Sequence, residues 1–109
     1  MKDINKIISS QYDFVFDEIR KKLIVVSYYK YGDAKNNFGY GRVDAVKSLE
    51  LCLKKYKETG NTEYLCDVAN YAMFEFKYPM HSKAHFRHTD SNESAGKVGK
   101  SINEESGEF

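Results

Sequence analysis

The sequence predicts an all-α fold, a small bundle of three main helices with a candidate short fourth helix at the N-terminus. In three separate segments apolar residues recur every three or four positions, and glycine or proline ends each segment. The three segments fill most of the first 78 residues and leave little room for a sheet. With 109 residues in total, the chain is long enough for one hydrophobic core and too short for two.

The first main helix is predicted over 11–31, and Gly32 ends it. Its apolar stripe, which we expect to face the core, consists of Tyr12, Val15, Phe16, Ile19, Leu23 and Val26. The residues that follow, DAKNNFGYG, contain further glycines and two adjacent asparagines. This composition predicts a loop.

The second and third helices are predicted over 42–59 and 62–78. Gly60 supplies a left-handed stop between them, Asn61 or Thr62 caps the third helix, and Pro79 closes it. On the third helix the predicted core arc is Leu65, Val68, Ala69, Ala72 and Phe76, whereas Tyr71 and Phe74 are expected to face outward.

The two ends of the chain differ in composition. Ile4, Ile7 and Ile8 form a short helical stripe, which indicates either a fourth helix or an arm. Residues 1–94 are predicted as the helical domain, with 80–94 as an ordered loop or lid, because three histidines and several charged groups are more chemistry than a spacer needs. Residues 95–109 are rich in serine, glycine and glutamate, which predicts a flexible tail.

Composition and charge exclude several classes of function. The formal charge of +1 provides no field that would recruit nucleic acid, and the lysine run of the second helix is typical of a solvated face. The sequence contains no apolar run long enough for a membrane span and no signal-peptide core, so a cytoplasmic location is expected. Two cysteines in apolar stripes are typical of reduced core residues.

A candidate anion site lies at the loop between the first two helices. Lys30 and Arg42 each occupy an apolar stripe at the helix end next to this loop. Fixed cations and amides bind phosphate oxygens well, although long cationic side chains also end apolar stripes simply by reaching water. Surplus aromatic rings in the loop suggest stacking on a base. The predicted ligand-binding set is Lys30, Tyr31, Asn36, Asn37, Phe38, Tyr40, Arg42, Asn70, His85 and Thr89.

Carboxylates of the third helix are candidate ligands for a hard divalent ion. Asp67 and Glu75 would hold Mg²⁺ if the protein is an enzyme, and otherwise no cofactor is predicted. The alternative is that Glu75 pairs with Lys30 or Arg42. The three histidines, His81, His85 and His88, do not favour a structural zinc site, because they follow a proline and have no cysteine nearby.

About half of the chain resembles small phage proteins. The run IVVSYYKYGDAKNNFGYGRVDAVKSLELCLKKYKETGNTEYLCDVANYAMFEF has a helix, a KYG-x-x-x-N loop, a helix and a DVAN-type helix. In layout it is similar to the all-α MazG-like nucleotide pyrophosphohydrolases, which include phage dATP/dGTP diphosphohydrolases. The segment PMHSKAHFRHTDSNESAG also resembles a tail of uncharacterised small phage proteins.

The acidic motifs of that family are incomplete in this sequence. The family holds Mg²⁺ with a Glu-x-x-Glu pair and a Glu-x-x-Asp pair on two helices. Here Asp17 and Glu18 are adjacent, and Glu63 and Asp67 are four residues apart. Binding a nucleotide needs only cations and rings, whereas hydrolysis needs metal charge and a positioned water. The resemblance therefore implies a phage-encoded nucleotide-binding protein that hydrolyses or sequesters its ligand.

Two further expectations concern partners. The alternative function is that of an anti-defence inhibitor, which would bind a host immune protein directly through Tyr71 and Phe74. Because apolar residues lie on more than one side of the helices, a homodimer or a higher homo-oligomer is also expected.

Overall fold

The computed structural model describes residues 3–90, 92, 93, 95 and 96 and confirms the all-α prediction. Its α-helices are α1 (Ile4–Gln11), α2 (Phe14–Tyr31), α3 (Ala45–Thr59) and α4 (Glu63–Lys77). The N-terminal isoleucines thus belong to a fourth helix. Within the described residues there is no strand, and no helix is long and apolar enough to cross a membrane.

Aspartate caps decide where the first three helices begin. Asp13 accepts a hydrogen bond from the Phe16 amide at 2.9 Å, and Asp44 accepts one from the Lys47 amide at 3.0 Å. Each carboxylate satisfies one of the amides that a helix start leaves without a partner. For this reason α2 and α3 begin three residues later than the periodicity of apolar residues predicts.

The predicted loop contains one turn of π-helix, Lys35–Gly39, which we call the π-turn. It is tied to both neighbouring segments. The side-chain amide of Asn37 donates to the carbonyl of Tyr31 at 3.0 Å, at the C-terminal end of α2. The Asn37 carbonyl in turn accepts from the Val43 amide at 2.9 Å. Asn37 therefore links the end of α2 to the segment that leads into α3.

Helix α4 is the centre of the bundle, because it packs along α3 on one side and against α2 on the other. Gly60, at a φ of 72°, ends α3 in the left-handed conformation and turns the chain into α4, as predicted. Buried residues of the described chain are Phe38, Ala45, Cys66 and Asn70.

The structure corrects the predicted faces of α4. Phe76, predicted in the core, is 77% exposed. Tyr71 and Phe74, predicted to face outward, are half-buried against Phe38 of the π-turn. The buried side of α4 includes the polar Asn70. The core side was predicted from the spacing of apolar residues, and a polar residue on the buried side interrupts that spacing.

The structure also corrects the predicted stripe of α2. Of its six residues only Leu23 is half-buried, and Val15 is 68% exposed. Helix α2 instead meets α4 through a face that includes Arg20, whose carbonyl accepts a hydrogen bond from Asn70. Apolar residues lie on more than one side of α2, so their spacing alone does not show which side is covered.

Beyond α4 the described chain has turns and no helix. Arg87 forms an ion pair with Glu93 there. The predicted flexible tail, 95–109, lies outside the described residues except for positions 95 and 96.

Candidate ligand-binding cavity

A cavity of about 310 Å³ lies between the C-terminal half of α2, the π-turn and α4. Its wall consists of Ile24, Ser27, Tyr28, Tyr31, Gly32, Ala34, Asn37, Phe38, Val43, Asp67, Asn70, Tyr71 and Phe74. Rings, aliphatic side chains, amides and one carboxylate therefore surround the space. An apolar wall with a few polar groups is typical of small-molecule sites.

Packed aromatic rings form one wall. Phe38 is 9% exposed and stacks on Phe74, with ring centroids 4.5 Å apart and planes 15° from parallel. Its ring also meets Tyr71 in an edge arrangement at 6.1 Å. These contacts hold the π-turn against α4, and such pairs add about 1 kcal/mol to the burial they accompany. This wall is therefore formed before any ligand binds.

Asp67 brings a carboxylate to the cavity from α4. Burial raises the pKa of this carboxyl above its usual value, and the nearby charge of Glu63 raises it further. Neither a hydrogen bond nor an ion pair joins the Asp67 side chain to another group within the described part of the chain. A partly desolvated carboxylate of this kind is stabilised by a ligand that donates hydrogen bonds to it.

Asn70 follows Asp67 by three residues and therefore lies one turn along the same side of α4. It is 6% exposed, and its amide nitrogen donates to the Arg20 carbonyl at 2.9 Å. Its side-chain oxygen is buried and accepts no hydrogen bond from the described residues. A buried acceptor without a donor is costly, so this oxygen is a second group that a donor would stabilise.

Burial also affects the phenol of Tyr71, whose pKa it raises above the usual value, with smaller contributions from nearby Cys52 and Asp67. The phenol is therefore neutral at physiological pH. A neutral hydroxyl can both donate and accept, which adds an adaptable polar group to the aromatic wall.

The structure brings together part of the predicted ligand-binding set. Tyr31, Asn37, Phe38 and Asn70 line the cavity, as does Asp67 of the predicted metal pair. Residues of the predicted set that do not line it are Lys30, Asn36, Tyr40, Arg42, His85 and Thr89, all of which are exposed. Lys30 and Arg42 are chain neighbours of the lining residues Tyr31 and Val43.

The two predicted metal ligands lie in different surroundings. Glu75 is outside the cavity wall, and its carboxylate accepts a hydrogen bond from the Met80 amide at 3.0 Å. Asp67 and Glu75 are eight residues apart on one helix, which corresponds to about 12 Å along its axis. Among the described residues no group of three or more His, Cys, Asp or Glu side chains is placed to hold a metal ion. The magnesium site stays a prediction.

Several cavity residues were not predicted. They include Ile24, Ser27 and Tyr28 of α2 and Tyr71 and Phe74 of α4. A signal for them exists in the sequence: Asp67, Asn70, Tyr71 and Phe74 follow helical spacing, and so do Ile24, Ser27, Tyr28 and Tyr31. A mixed polar and aromatic stripe marks the wall of a site rather than a solvated face.

Comparisons of the chain with protein-family models, curated proteins and solved structures found no match.

Proposed function

We propose that the protein binds a nucleotide, with the base inside the cavity and the phosphates outside it. The observation that supports this proposal is the combination of a preformed aromatic wall with the carboxylate of Asp67 and, one helical turn away, the side-chain amide of Asn70. Flat heterocycles stack on such walls, and their edges present hydrogen-bond donors.

The Asp67 carboxylate favours guanine over adenine. An ionised carboxylate only accepts hydrogen bonds. The Watson–Crick edge of guanine carries a ring N–H beside an amino group, two donors that suit a carboxylate. The corresponding edge of adenine has one donor and one acceptor, so adenine would leave an acceptor facing Asp67.

The size and charge of the cavity explain why the phosphates would lie outside. A volume of about 310 Å³ is at the lower end of the range for ligand sites and suits a base with its sugar. Among the described residues that line the cavity none is Lys or Arg. The predicted phosphate contacts from Lys30 and Arg42 would be made in water, where they are weakened by screening.

A calorimetric titration with guanosine, guanosine monophosphate and adenosine tests this proposal. Asp67→Asn should weaken guanosine binding by about tenfold, because it removes a charge-assisted hydrogen bond. Glu50→Gln, an exposed carboxylate on α3, is the matched control and should change nothing. Absence of binding to all three compounds at millimolar concentration would disprove the proposal.

A second variant separates the base from the phosphate. Arg42→Ala should weaken binding of guanosine monophosphate by a factor of about three and leave guanosine unaffected, since a solvated cation contributes little. An equal loss for both ligands would contradict a phosphate role for Arg42. Circular dichroism of each variant checks that the helices are retained.

With the phage origin that the resemblance implies, such binding would remove a guanine nucleotide from the host cytoplasm. Sequestration and Mg²⁺-dependent hydrolysis would use the same cavity, and product analysis distinguishes them. Recovery of intact guanosine triphosphate after incubation with Mg²⁺ and denaturation of the protein would favour sequestration. Appearance of guanosine monophosphate and pyrophosphate, the two products of adding water across the bond between the α- and β-phosphates, would favour hydrolysis.

The alternative, direct inhibition of a host immune protein, was expected to use Tyr71 and Phe74. Both side chains line the cavity and pack against Phe38, so neither provides a protruding surface for a partner.

A further inference from the structure

The side of α2 that faces away from α4 is apolar and exposed. We define the outer seam as Val15, Ile19, Lys22, Val26 and Tyr29. Val15 is 68% exposed, Val26 45% and Tyr29 83%, and Ile19 and Lys22 also lie at the surface. Four large apolar residues on one side of a single helix are more than scattered surface hydrophobes, which proteins tolerate singly.

The spacing of the outer seam is that of a coiled coil. Its members are separated alternately by four and three residues, which places them at the a and d positions of successive heptads. The positions farthest from this seam in the same heptads are Asp17, Ile24 and Tyr31. Ile24 and Tyr31 line the cavity beside α4. Helix α2 is therefore covered on one side and presents a helix-pairing surface on the opposite side.

The area of this surface approaches what a stable pair of chains needs. With the flanking Phe16 and Val25, the outer seam presents roughly 700 Å² of accessible surface, against about 800 Å² per partner in a standard interface. Phe16 is 37% exposed and Val25 54% exposed. The helix itself has 18 residues, or about five turns, which suffices for a short helix pair.

We propose that the outer seam of α2 pairs with the outer seam of a second copy of this chain, with the two helices antiparallel. A symmetric dimer uses the same patch on both copies, and this patch is self-complementary. In an antiparallel pair, a positions face d positions. Val15 then lies opposite Val26 of the partner subunit, and the reciprocal contact forms at the other end.

Charge decides the orientation. In a parallel pair Lys22 would face Lys22 of the partner subunit at the centre of the interface, which is unfavourable. In the antiparallel pair Lys22 lies opposite Ile19 of the partner subunit and beside Glu18 of the partner subunit. Two such lysine–glutamate pairs form by symmetry, so the single charged position of the outer seam is neutralised by the other copy.

This pairing does not depend on the nucleotide proposal, because the cavity lies on the covered side of α2 and the outer seam on the other. Failure of ligand binding and failure of self-association are therefore separate results.

Sedimentation equilibrium of the full chain tests the proposal. We expect a dimer with a micromolar dissociation constant, which Val26→Asp weakens by at least about tenfold. Leu51→Asp is the matched control: Leu51 is 57% exposed on α3, away from the outer seam, and its substitution should leave the dissociation constant unchanged. A monomer at every concentration up to about 200 µM would overturn the proposal, as would equal effects of the two substitutions.

Two mixing experiments test the orientation. The Glu18→Lys and Lys22→Glu variants each place like charges against each other in their homodimers and opposite charges in the mixed dimer. A mixed dimer in excess of the statistical fraction is expected, and a statistical mixture would overturn the charge argument. Under mild oxidation, Val15→Cys and Val26→Cys chains should form a mixed disulfide, with the wild-type cysteines as background. Preferential linking of Val15→Cys chains to each other would overturn the antiparallel arrangement.

Discussion

Helix α4 packs against two neighbours, and the two contacts differ in kind. Its contact with α3 is the more extensive one and joins helices that follow each other through the short Gly60 connection. Its contact with α2 joins helices that are separated in the sequence by α3. This contact includes a polar element, the hydrogen bond from Asn70 to the Arg20 carbonyl. The cavity opens on this second side, between α2 and α4.

This difference shows how a chain of 109 residues accommodates a cavity. The hairpin of α3 and α4 supplies a scaffold from residues close in sequence, for which the cost of chain closure is small. Helix α2 is joined to that scaffold by Phe38, Asn37 and Asn70 rather than by a continuous apolar stripe. Incomplete packing on this side leaves room for a ligand, and the local stability is expected to be lower there.

The largest effect on stability is expected from Phe38→Ala. It removes the ring that stacks on Phe74 and holds the π-turn against α4, and we expect a loss of about 3 kcal/mol in the free energy of unfolding. Phe76→Ala is the control, because Phe76 is 77% exposed and its loss should cost less than about 0.5 kcal/mol. Urea denaturation measures both. Similar costs for the two substitutions would contradict an anchoring role for Phe38.

A smaller effect is expected from Asn70→Ala. This change removes the hydrogen bond from α4 to the Arg20 carbonyl of α2 and should cost about 1.5 kcal/mol. Asn36→Ala, an exposed amide of the π-turn, should have almost no effect. Hydrogen exchange should show the loss of protection in α2 rather than in α3. Uniform loss across the bundle would argue against a locally weaker α2 contact.

The smallest effects on stability are expected from two aspartates, Asp67 and Asp17, and they depend on pH. Burial raises the pKa of Asp67, so the native chain binds a proton at this carboxyl more readily than the unfolded chain. The ionised group therefore destabilises the fold above the raised pKa, and this cost disappears as the pH falls through it. Asp67→Asn should raise the melting temperature by about 2 °C at pH 7, and the gain should vanish in acid.

For Asp17 the pKa is shifted in the opposite direction, and so is the expected effect of its substitution on stability. A hydrogen bond from Lys21 is the main cause that lowers the pKa of Asp17, with a contribution from Arg20. Its ionised form stabilises the fold above the unfolded pKa, and that contribution is lost as the pH falls through the lowered value. Asp17→Asn should therefore lower the melting temperature at pH 7. If both substitutions change stability in the same direction, the pKa assignments are wrong.

Part of the candidate site was predictable because it is local in sequence. Tyr31 is the last residue of α2, and Asn37 and Phe38 belong to the π-turn that follows it; a connection rich in rings and amides indicates a ligand site. Asp67 and Asn70 were predicted as site residues on the side of the third helix opposite its apolar core arc. Ser27, Tyr28, Tyr71 and Phe74 were not predicted, because their role depends on which sides of α2 and α4 face each other.

The sequence by itself determined the helices, the glycine that ends α3 and the loop that carries the rings, because these depend on spacing and on conformational preferences within a few residues. Only the tertiary structure decided which side of each helix is covered. Helices α2 and α4 have apolar residues on more than one side, so periodicity alone leaves several rotations open. Contacts with Phe38 and Arg20, distant in sequence, turned Tyr71, Phe74 and Asn70 inward and left Phe76 and the outer seam exposed.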